Sequence, residues 1–147
     1  MAADIDIKPF EGLTRRELHD ILALRSRVFV VEQKITEVPE VDGRDIDAHH
    51  VIARCDGLIV GTVRMLKQRQ PVKVGRVAVD REYRNQGIGA AMMEATTEHL
   101  GDRVAKLHAQ SHLEQWYDEL GWRRSGDNFD IVGIDHVPMV WPPDAAL

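Results

Sequence analysis

The sequence predicts a mixed α/β fold, in which helices flank one mostly antiparallel sheet of six to seven strands. Two observations predict it. Short runs with β-type alternation outnumber the helical stretches, and three of these runs follow one another with no helix between them. The predicted order is strand, helix, three strands, helix, strand, helix and two strands. A doubly wound parallel sheet is therefore disfavoured, since its strands alternate with helices.

The first elements are a half-buried strand near residues 4–9 and a helix over residues 14–30. In the strand, isoleucines alternate with polar residues. Thr14 followed three residues later by Glu17 is a capping-box signature, and apolar residues then recur at helical spacing. The next segment, 31–50, contains proline, glycine and six acidic residues without a stable period. We expect a long connecting loop there.

The rest of the chain predicts an antiparallel meander followed by alternating helices and strands. Asp56 and Gly57 mark a hairpin turn between the first two strands of the meander. A glycine follows each of the two later helices and marks its end. The meander strands are 50–55, 58–66 and 73–79, and the later elements are a helix over 86–100, a strand over 104–109, a helix within 111–121 and strands within 122–129 and 134–141.

Size and composition predict one cytoplasmic domain over residues 1–147. Hydrophobic residues make up 44% of the 147 residues and charged residues 29%, which suits a chain with a real core. The net charge of −5 disfavours nucleic-acid binding. No apolar run approaches the ~20 residues that cross a bilayer, so no membrane association is expected. Cys55 is the only cysteine, which indicates a reducing compartment.

The turn at 84–90 lies between a predicted strand and a predicted helix and indicates an anion site. Unpaired N–H groups at a helix start, together with the helix dipole, favour phosphate. Gly87 and Gly89 leave room for close approach of a diphosphate, although a tight turn alone would also need glycine. The run lacks the third glycine of the dinucleotide fingerprint and the lysine of a P-loop, so those two nucleotide sites are disfavoured.

Residues 77–93, VAVDREYRNQGIGAAMM, resemble the strand, pyrophosphate loop and helix of the GCN5-related N-acetyltransferases (GNAT). The family pattern of Gln or Arg, two residues, Gly, any residue and Gly or Ala is Arg84-Asn85-Gln86-Gly87-Ile88-Gly89 here. A later segment, AQSHLEQWYDELGW, is similar to the family's tyrosine-bearing helix. LRSRVFVVEQ and VDGRDIDAHHVIA resemble the ElaA-like branch, so the likeness extends from residue 20 to about 140.

The resemblance implies that acetyl-CoA is the cosubstrate and lies where the fourth strand, 73–79, splays from the fifth, 104–109. It implies a pantetheine contact at residue 110, where the family's asparagine is replaced by glutamine. The implied cofactor-binding residues are Val77, Ala78 and Val79 for pantetheine, Arg84, Asn85, Gln86, Gly87, Ile88, Gly89 and Ala90 for the diphosphate, and Gln110.

Acetyl transfer to an amine needs an acid for the leaving thiolate and a base for the amine. Tyr117 matches the family's tyrosine near the sulfur, with aromatic packing as the alternative. The fourth strand has Gly75 and Arg76 where many relatives carry a glutamate, so the base must be elsewhere. The candidates are Glu32 and His50, with Asp42, Asp45 and His49 as further choices. Together these acids would form a negative rim suited to a cationic acceptor.

The spacing of the residues disfavours two other chemistries. The cluster of Asp42, Asp45, Asp47, His49 and His50 could be drawn as a metal site, but its spacing matches neither a calcium loop nor a helical zinc motif. A covalent acetyl-enzyme through the single cysteine lacks a partner histidine at readable spacing. We therefore expect no metal and direct attack by the amine.

The predicted function is transfer of an acetyl group from acetyl-CoA to a primary amine of an unidentified acceptor. The alternative is a regulatory module that binds CoA without catalysis, and a third reading is a protein-interaction domain that does not bind CoA. His108 is expected to be structural or cleft-lining. The strand at 134–141 is a candidate edge for pairing with a second copy as a homodimer.

Overall fold

The computed structural model describes residues 2–146, and it contains a single mixed sheet with helices on both faces. The predicted fold class is confirmed. All neighbouring strands pair antiparallel except β4 and β5, which are parallel. The strand order is β1-β2-β3-β4-β5-β8-β6, with β7 also paired to β8. The strands are β1 Asp4–Pro9, β2 His49–Cys55, β3 Leu58–Leu66, β4 Val72–Val79, β5 Ala105–Gln110, β6 Arg123–Arg124, β7 Phe129–Ile131 and β8 Ile134–Trp141.

Three α-helices flank the sheet: α1 Arg15–Arg25, α2 Ile88–Leu100 and α3 Glu114–Glu119. The capping box predicted at the start of α1 is present, because the Thr14 hydroxyl accepts from the Glu17 N–H and the Glu17 carboxylate accepts from the Thr14 N–H. The predicted helix over 14–30 changes to π-helical geometry at Ser26–Glu32. Wide turns of this kind occur often at functional sites. No helix among residues 2–146 is both long and apolar enough to span a bilayer.

The two faces of the sheet differ in character. The face covered by α2 and α3 is apolar and forms the main core. The opposite face, covered in part by α1, carries polar residues at paired positions, since directly paired residues point to the same side of a sheet. Representative core residues are Val51, Val63, Met65, Val74, Leu107 and Met139, and the opposite face carries His50, Arg64, Lys73, His108 and His136.

The strands β4 and β5 part soon after they begin, which confirms the predicted splay. Their parallel ladder consists of Val72 opposite Ala105 and Lys73 opposite Lys106. The partner β8 follows β5 to its end, and β3 follows β4 to its end. A cleft therefore opens between the C-terminal halves of β4 and β5.

The C-terminal region differs from the prediction in three details. The sheet has eight strands, because the penultimate predicted strand is split into the short strands β6 and β7. The helix expected within 111–121 begins only at Glu114 and has no side-chain cap. The expectation that residues 134–141 form an edge is wrong, since β8 pairs with β5 on one side and with β6 and β7 on the other.

Candidate active site

The cleft between β4 and β5 has a volume of about 290 Å³ and is lined from both faces of the sheet. Tyr117 of α3 enters from the side of the apolar core. Lys73, His108 and His136 belong to the polar face. The π-helical segment and the loop that follows it also contribute to the wall, with Phe29, Gln33, Ile35, Val38 and Glu40.

A bulge interrupts β4 beside the cleft. The register with β3 shifts between Thr62, opposite Ala78, and Arg64, opposite Gly75, so β4 carries one residue more than β3 over this stretch. Arg76 lies in the bulge with a φ of +51°. The left-handed conformation is unfavourable for arginine, so the surrounding contacts must hold it.

Those contacts belong to an ion-pair network of three arginines and three carboxylates. Glu40 Oε2 accepts from Arg25 Nε at 2.7 Å and from Arg76 Nε at 2.8 Å. Asp45 Oδ1 accepts from Arg25 Nη1 at 2.7 Å and from Arg64 Nη1 at 3.2 Å. The network joins α1, the 33–48 loop, β3 and β4. Asp42 completes it by accepting from Arg64 at 2.9 and 3.0 Å.

The network neutralises the acidic loop that was expected to form a negative rim. Burial alone would raise the pKa of Asp42, but hydrogen bonds from the Arg64 guanidinium and the Arg44 N–H lower it to about 2. The pKa of Asp45 is lowered despite its burial, because Arg25 and Arg64 bond to it. The lowered pKa values keep both carboxylates charged and paired with arginines, so they are poor proton acceptors for a substrate. The expected negative rim is absent at Glu40, Asp42 and Asp45.

His50 and Glu32, the two base candidates, are not brought to the cleft. His50 is completely buried and its Nε2 lies 3.0 Å from the Asp45 carbonyl oxygen. A substrate amine cannot reach it there. Glu32 forms a bidentate pair with Arg84, at 2.5 and 2.9 Å, beside a separate surface hollow. Hydrogen bonding by Arg84 lowers the pKa of Glu32, which weakens it further as a base.

The cleft brings together two titratable groups whose protonation states suit acid–base chemistry, His108 and Tyr117. Burial, then the positive charges of Lys73 and Lys106, lower the pKa of His108, so the ring is neutral at pH 7. Its ring packs edge-on to Phe129 with 4.9 Å between centroids. Burial raises the pKa of the Tyr117 phenol, which therefore keeps its proton.

The predicted phosphate loop lies between β4 and α2, as expected. Asn85 and Gly87 have φ of +63° and +80°, and Gly87 precedes α2 without any side-chain cap. The first helical N–H groups are therefore available to an anion. A Cβ on Gly87 would meet no atom within 4 Å, whereas one on Gly89 would lie 3.1 Å from Trp116. Gly87 faces open space, and Gly89 permits the helix to pack.

The other residues predicted to contact acetyl-CoA lie in different environments. Val77 lines the cleft, while the Ala78 side chain packs against α1 and Ala78 pairs with Thr62 of β3. The Val79 carbonyl accepts from Arg84 Nε at 3.0 Å, so Arg84 is held by protein groups. Gln110 lines the cleft, and its Nε2 donates to Gln33 Oε1 at 2.9 Å. The diphosphate loop also includes the exposed Gln86, the buried Ile88 and the half-buried Ala90.

Sequence reasoning missed three cleft residues, Glu40, Lys73 and His136, and gave His108 no chemical role. One signal was present for His108 and His136, because strand alternation places each on the polar side of its strand. Strand alternation also places Lys73 on the polar side of β4, whereas no local signal marks Glu40. The part of the chain that the structure describes contains no group of three His, Cys, Asp or Glu side chains placed to hold a metal ion.

Comparisons with known proteins agree with this geometry. A family model described as an acetyltransferase (GNAT) domain matches residues 24–142. The UPF0039 protein Mb2876c of Mycobacterium bovis is 36% identical over 139 residues, which cover 90% of this chain and 88% of that protein.

Two solved structures have the same fold over nearly their whole length. An acyl-CoA N-acyltransferase from Pseudomonas aeruginosa is 33% identical, with a TM-score of 0.86 and coverage of 95% of this chain and 99% of that one. ElaA of Escherichia coli is 28% identical, with a TM-score of 0.84 and coverage of 94% and 98%. The splayed strands, the uncapped helix start and these matches lead to one conclusion: the chain belongs to the GCN5-related N-acetyltransferase family.

Proposed function

We propose that this protein transfers an acetyl group from acetyl-CoA to a primary amine by direct attack. The observation that carries the proposal is the cleft between β4 and β5, which is lined by a protonated phenol, Tyr117, and a neutral imidazole, His108. An acid for the departing sulfur and a base for the attacking nitrogen are the two groups that this reaction needs.

The donor, acetyl-CoA, fits backbone groups of β4 and α2 that are left unpaired within residues 2–146. Beyond Lys73, the β4 edge that faces β5 has no strand partner among residues 2–146, so the backbone at Val77 to Val79 can bond the pantetheine amides. The N–H groups at the start of α2 would hold the diphosphate. The relative from Pseudomonas aeruginosa is described as an acyl-CoA N-acyltransferase, which supports a CoA thioester as donor.

In the proposed reaction, the amine nitrogen attacks the thioester carbonyl carbon while His108 takes a proton from that nitrogen, directly or through water. The C–S bond then breaks, and the sulfur takes the Tyr117 proton. Solvent returns a proton to the phenol and removes one from the imidazole. A phenol of ordinary pKa ~10 is a weaker acid than a thiol of pKa ~8.5, so this transfer is uphill by about 2 kcal/mol before solvent returns the proton to the phenol.

Direct attack is supported by the position of Cys55. This thiol lies in β2 within the main core and is 3% exposed. A nucleophile must reach the thioester, and Cys55 does not line the cleft. Replacing it by alanine should therefore leave acetyl transfer intact in a folded variant.

One observation favours the alternative, a module that binds CoA without transferring its acyl group. The amides of Gln33 and Gln110 bond to each other at 2.9 Å, from opposite walls of the cleft. In this arrangement one N–H of the Gln110 amide bonds within the protein and not to pantetheine. Such a module would bind acetyl-CoA but would release no CoA in the presence of amines.

The test measures CoA release with a broad panel of amines, alongside acetyl-CoA binding by calorimetry. We expect turnover in the wild type, with kcat/KM declining on the acid side only below the ordinary histidine pKa of about 6.5. Tyr117→Phe should lower kcat by about 10²-fold or more, as for loss of a general acid. His108→Gln should abolish the acidic limb of the pH profile.

Exposed His112 serves as the matched control for His108, and His112→Gln should behave like the wild type. Binding of acetyl-CoA without turnover of any amine would support the module. Turnover by Tyr117→Phe and His108→Gln at the wild-type rate would remove both residues from the reaction.

A further inference from the structure

Lys73 occupies a distinctive place in the cleft. It belongs to the last residue pair of the parallel ladder, opposite Lys106, so it lies where β4 and β5 begin to part. The residue lines the cleft on the polar face of the sheet, the same face as His108 and His136. The side chain is therefore beside the proposed base and on the side opposite to the α2 start that would hold the diphosphate.

Among residues 2–146, the charge of Lys73 has no counter-ion. None of the ion pairs formed by residues 2–146 includes it. The carboxylate that lines the same cleft, Glu40, is paired with Arg25 and Arg76. Burial lowers the pKa of Lys73. The neighbouring cations Arg69, Lys106, Arg64 and Arg44 lower it further. A half-buried cation among other cations is a costly arrangement unless a ligand compensates it.

Space for a ligand lies next to this charge. Gly75 follows two residues later on the same face of β4, and a Cβ built there would meet no atom within 4 Å. The cleft, at about 290 Å³, is at the lower end of the range for small-molecule sites. A compact acceptor therefore fits better than a folded protein surface.

We propose that the acceptor is a small amine that also carries a carboxylate, as an amino acid does, and that Lys73 binds this carboxylate. The proposal rests on the proposed function, because it names the acceptor class of that reaction. It replaces the cationic acceptor suggested by the acidic loop. Lys73 would repel a purely cationic amine. A carboxylate beside the amine cancels that repulsion and orients the nitrogen toward His108.

The experiment compares amino acids with the amines formed from them by decarboxylation: histidine with histamine, tyrosine with tyramine, and ornithine with putrescine. Each pair differs only in the α-carboxylate. We expect the wild type to favour the carboxylate member by about tenfold or more in kcat/KM in at least one pair, which corresponds to about 1.4 kcal/mol. Lys73→Met should remove this preference, mainly by raising KM for the carboxylate member.

Lys106→Met is the matched control, since Lys106 is opposite Lys73 in the ladder but does not line the cleft. It should retain the preference. Equal kcat/KM for the two members of every pair would overturn the proposal. A preference that persists in Lys73→Met would overturn it as well.

Direct binding separates this proposal from the proposed function. Calorimetry with CoA present measures acceptor affinity without turnover. If no amine is acetylated, the proposed function fails, and tighter binding of the carboxylate members that is lost in Lys73→Met would still support carboxylate recognition. If amines are acetylated without a carboxylate preference, the proposal on Lys73 fails while the proposed function stands.

Discussion

Replacing Glu40 by glutamine should destabilise the fold by about 3 kcal/mol. The single oxygen Oε2 of Glu40 accepts from two guanidinium groups, those of Arg25 at 2.7 Å and Arg76 at 2.8 Å. The Arg25 side chain is only 1% exposed, and Glu40 itself is 14% exposed. Glutamine keeps the shape and one acceptor oxygen, but it leaves three arginines facing two carboxylates.

The magnitude follows from the burial of the two arginines. Breaking a buried ion pair by removing one partner costs roughly 3–5 kcal/mol. The lower end applies because Asp45 still bonds Arg25 at 2.7 Å, and because Arg76 is 26% exposed and can turn toward water. For a chain of this size, about 3 kcal/mol corresponds to a decrease of roughly 6–12 °C in Tm.

The assay is urea unfolding followed by circular dichroism, supported by thermal melting at pH 7. Glu37→Gln is the matched control, since Glu37 is an exposed acid in the same loop and forms none of the ion pairs found among residues 2–146. It should change the free energy of unfolding by less than about 0.5 kcal/mol. A loss below about 1 kcal/mol in Glu40→Gln would refute the view that this network holds the loop and the bulge.

Two further predictions concern stability. Hydrogen bonds from the Thr14 N–H, Lys8 and Arg54 outweigh burial and lower the pKa of Glu17 to about 2 from an ordinary 4.5, so its stabilisation is complete above pH 4.5 and is lost as the pH falls through about 2. Glu17→Gln should flatten the dependence of unfolding free energy on pH between these values, and an unchanged slope would contradict it. Gly121→Ala should cost about 2–4 kcal/mol, because φ is +99° and the new Cβ would lie 2.7 Å from Trp141. Gly133→Ala, with φ of +81° and open space, should cost only about 1 kcal/mol in the same melts.

Local pattern was sufficient to predict most of the fold. The capping box at Thr14, the hairpin turn at Asp56 and Gly57, and the alternation in β2 to β5 all depend on residues within a few positions of one another. The glycine-bearing turn before α2 was also predictable, since it depends on glycines at the junction of a strand and a helix. Resemblance to a family added the splay of β4 from β5.

The charges of the site could not be predicted in the same way. The partners of Glu40 are 15 and 36 residues away, and Arg64 meets Asp42 across 22 residues. Which arginine reaches which acid depends on how α1, β3 and β4 pack, and no local periodicity encodes that. The acidic loop therefore predicted a negative rim, although three of its carboxylates, Glu40, Asp42 and Asp45, are paired with arginines within the protein.

Paired acids change how the cleft selects its acceptor. A loop of free carboxylates would attract any ammonium group, and selectivity among amines would then be weak. Three arginines pair with Glu40, Asp42 and Asp45, and of the lysines and arginines that line the cleft only Lys73 lacks an ion pair among residues 2–146. The same network holds Arg76 in the β4 bulge, at the point where β4 leaves its register with β3. The residues that hold the bulge of β4 thus also neutralise carboxylates beside the cleft, and under the proposed function the cleft would favour an amine that carries its own anion.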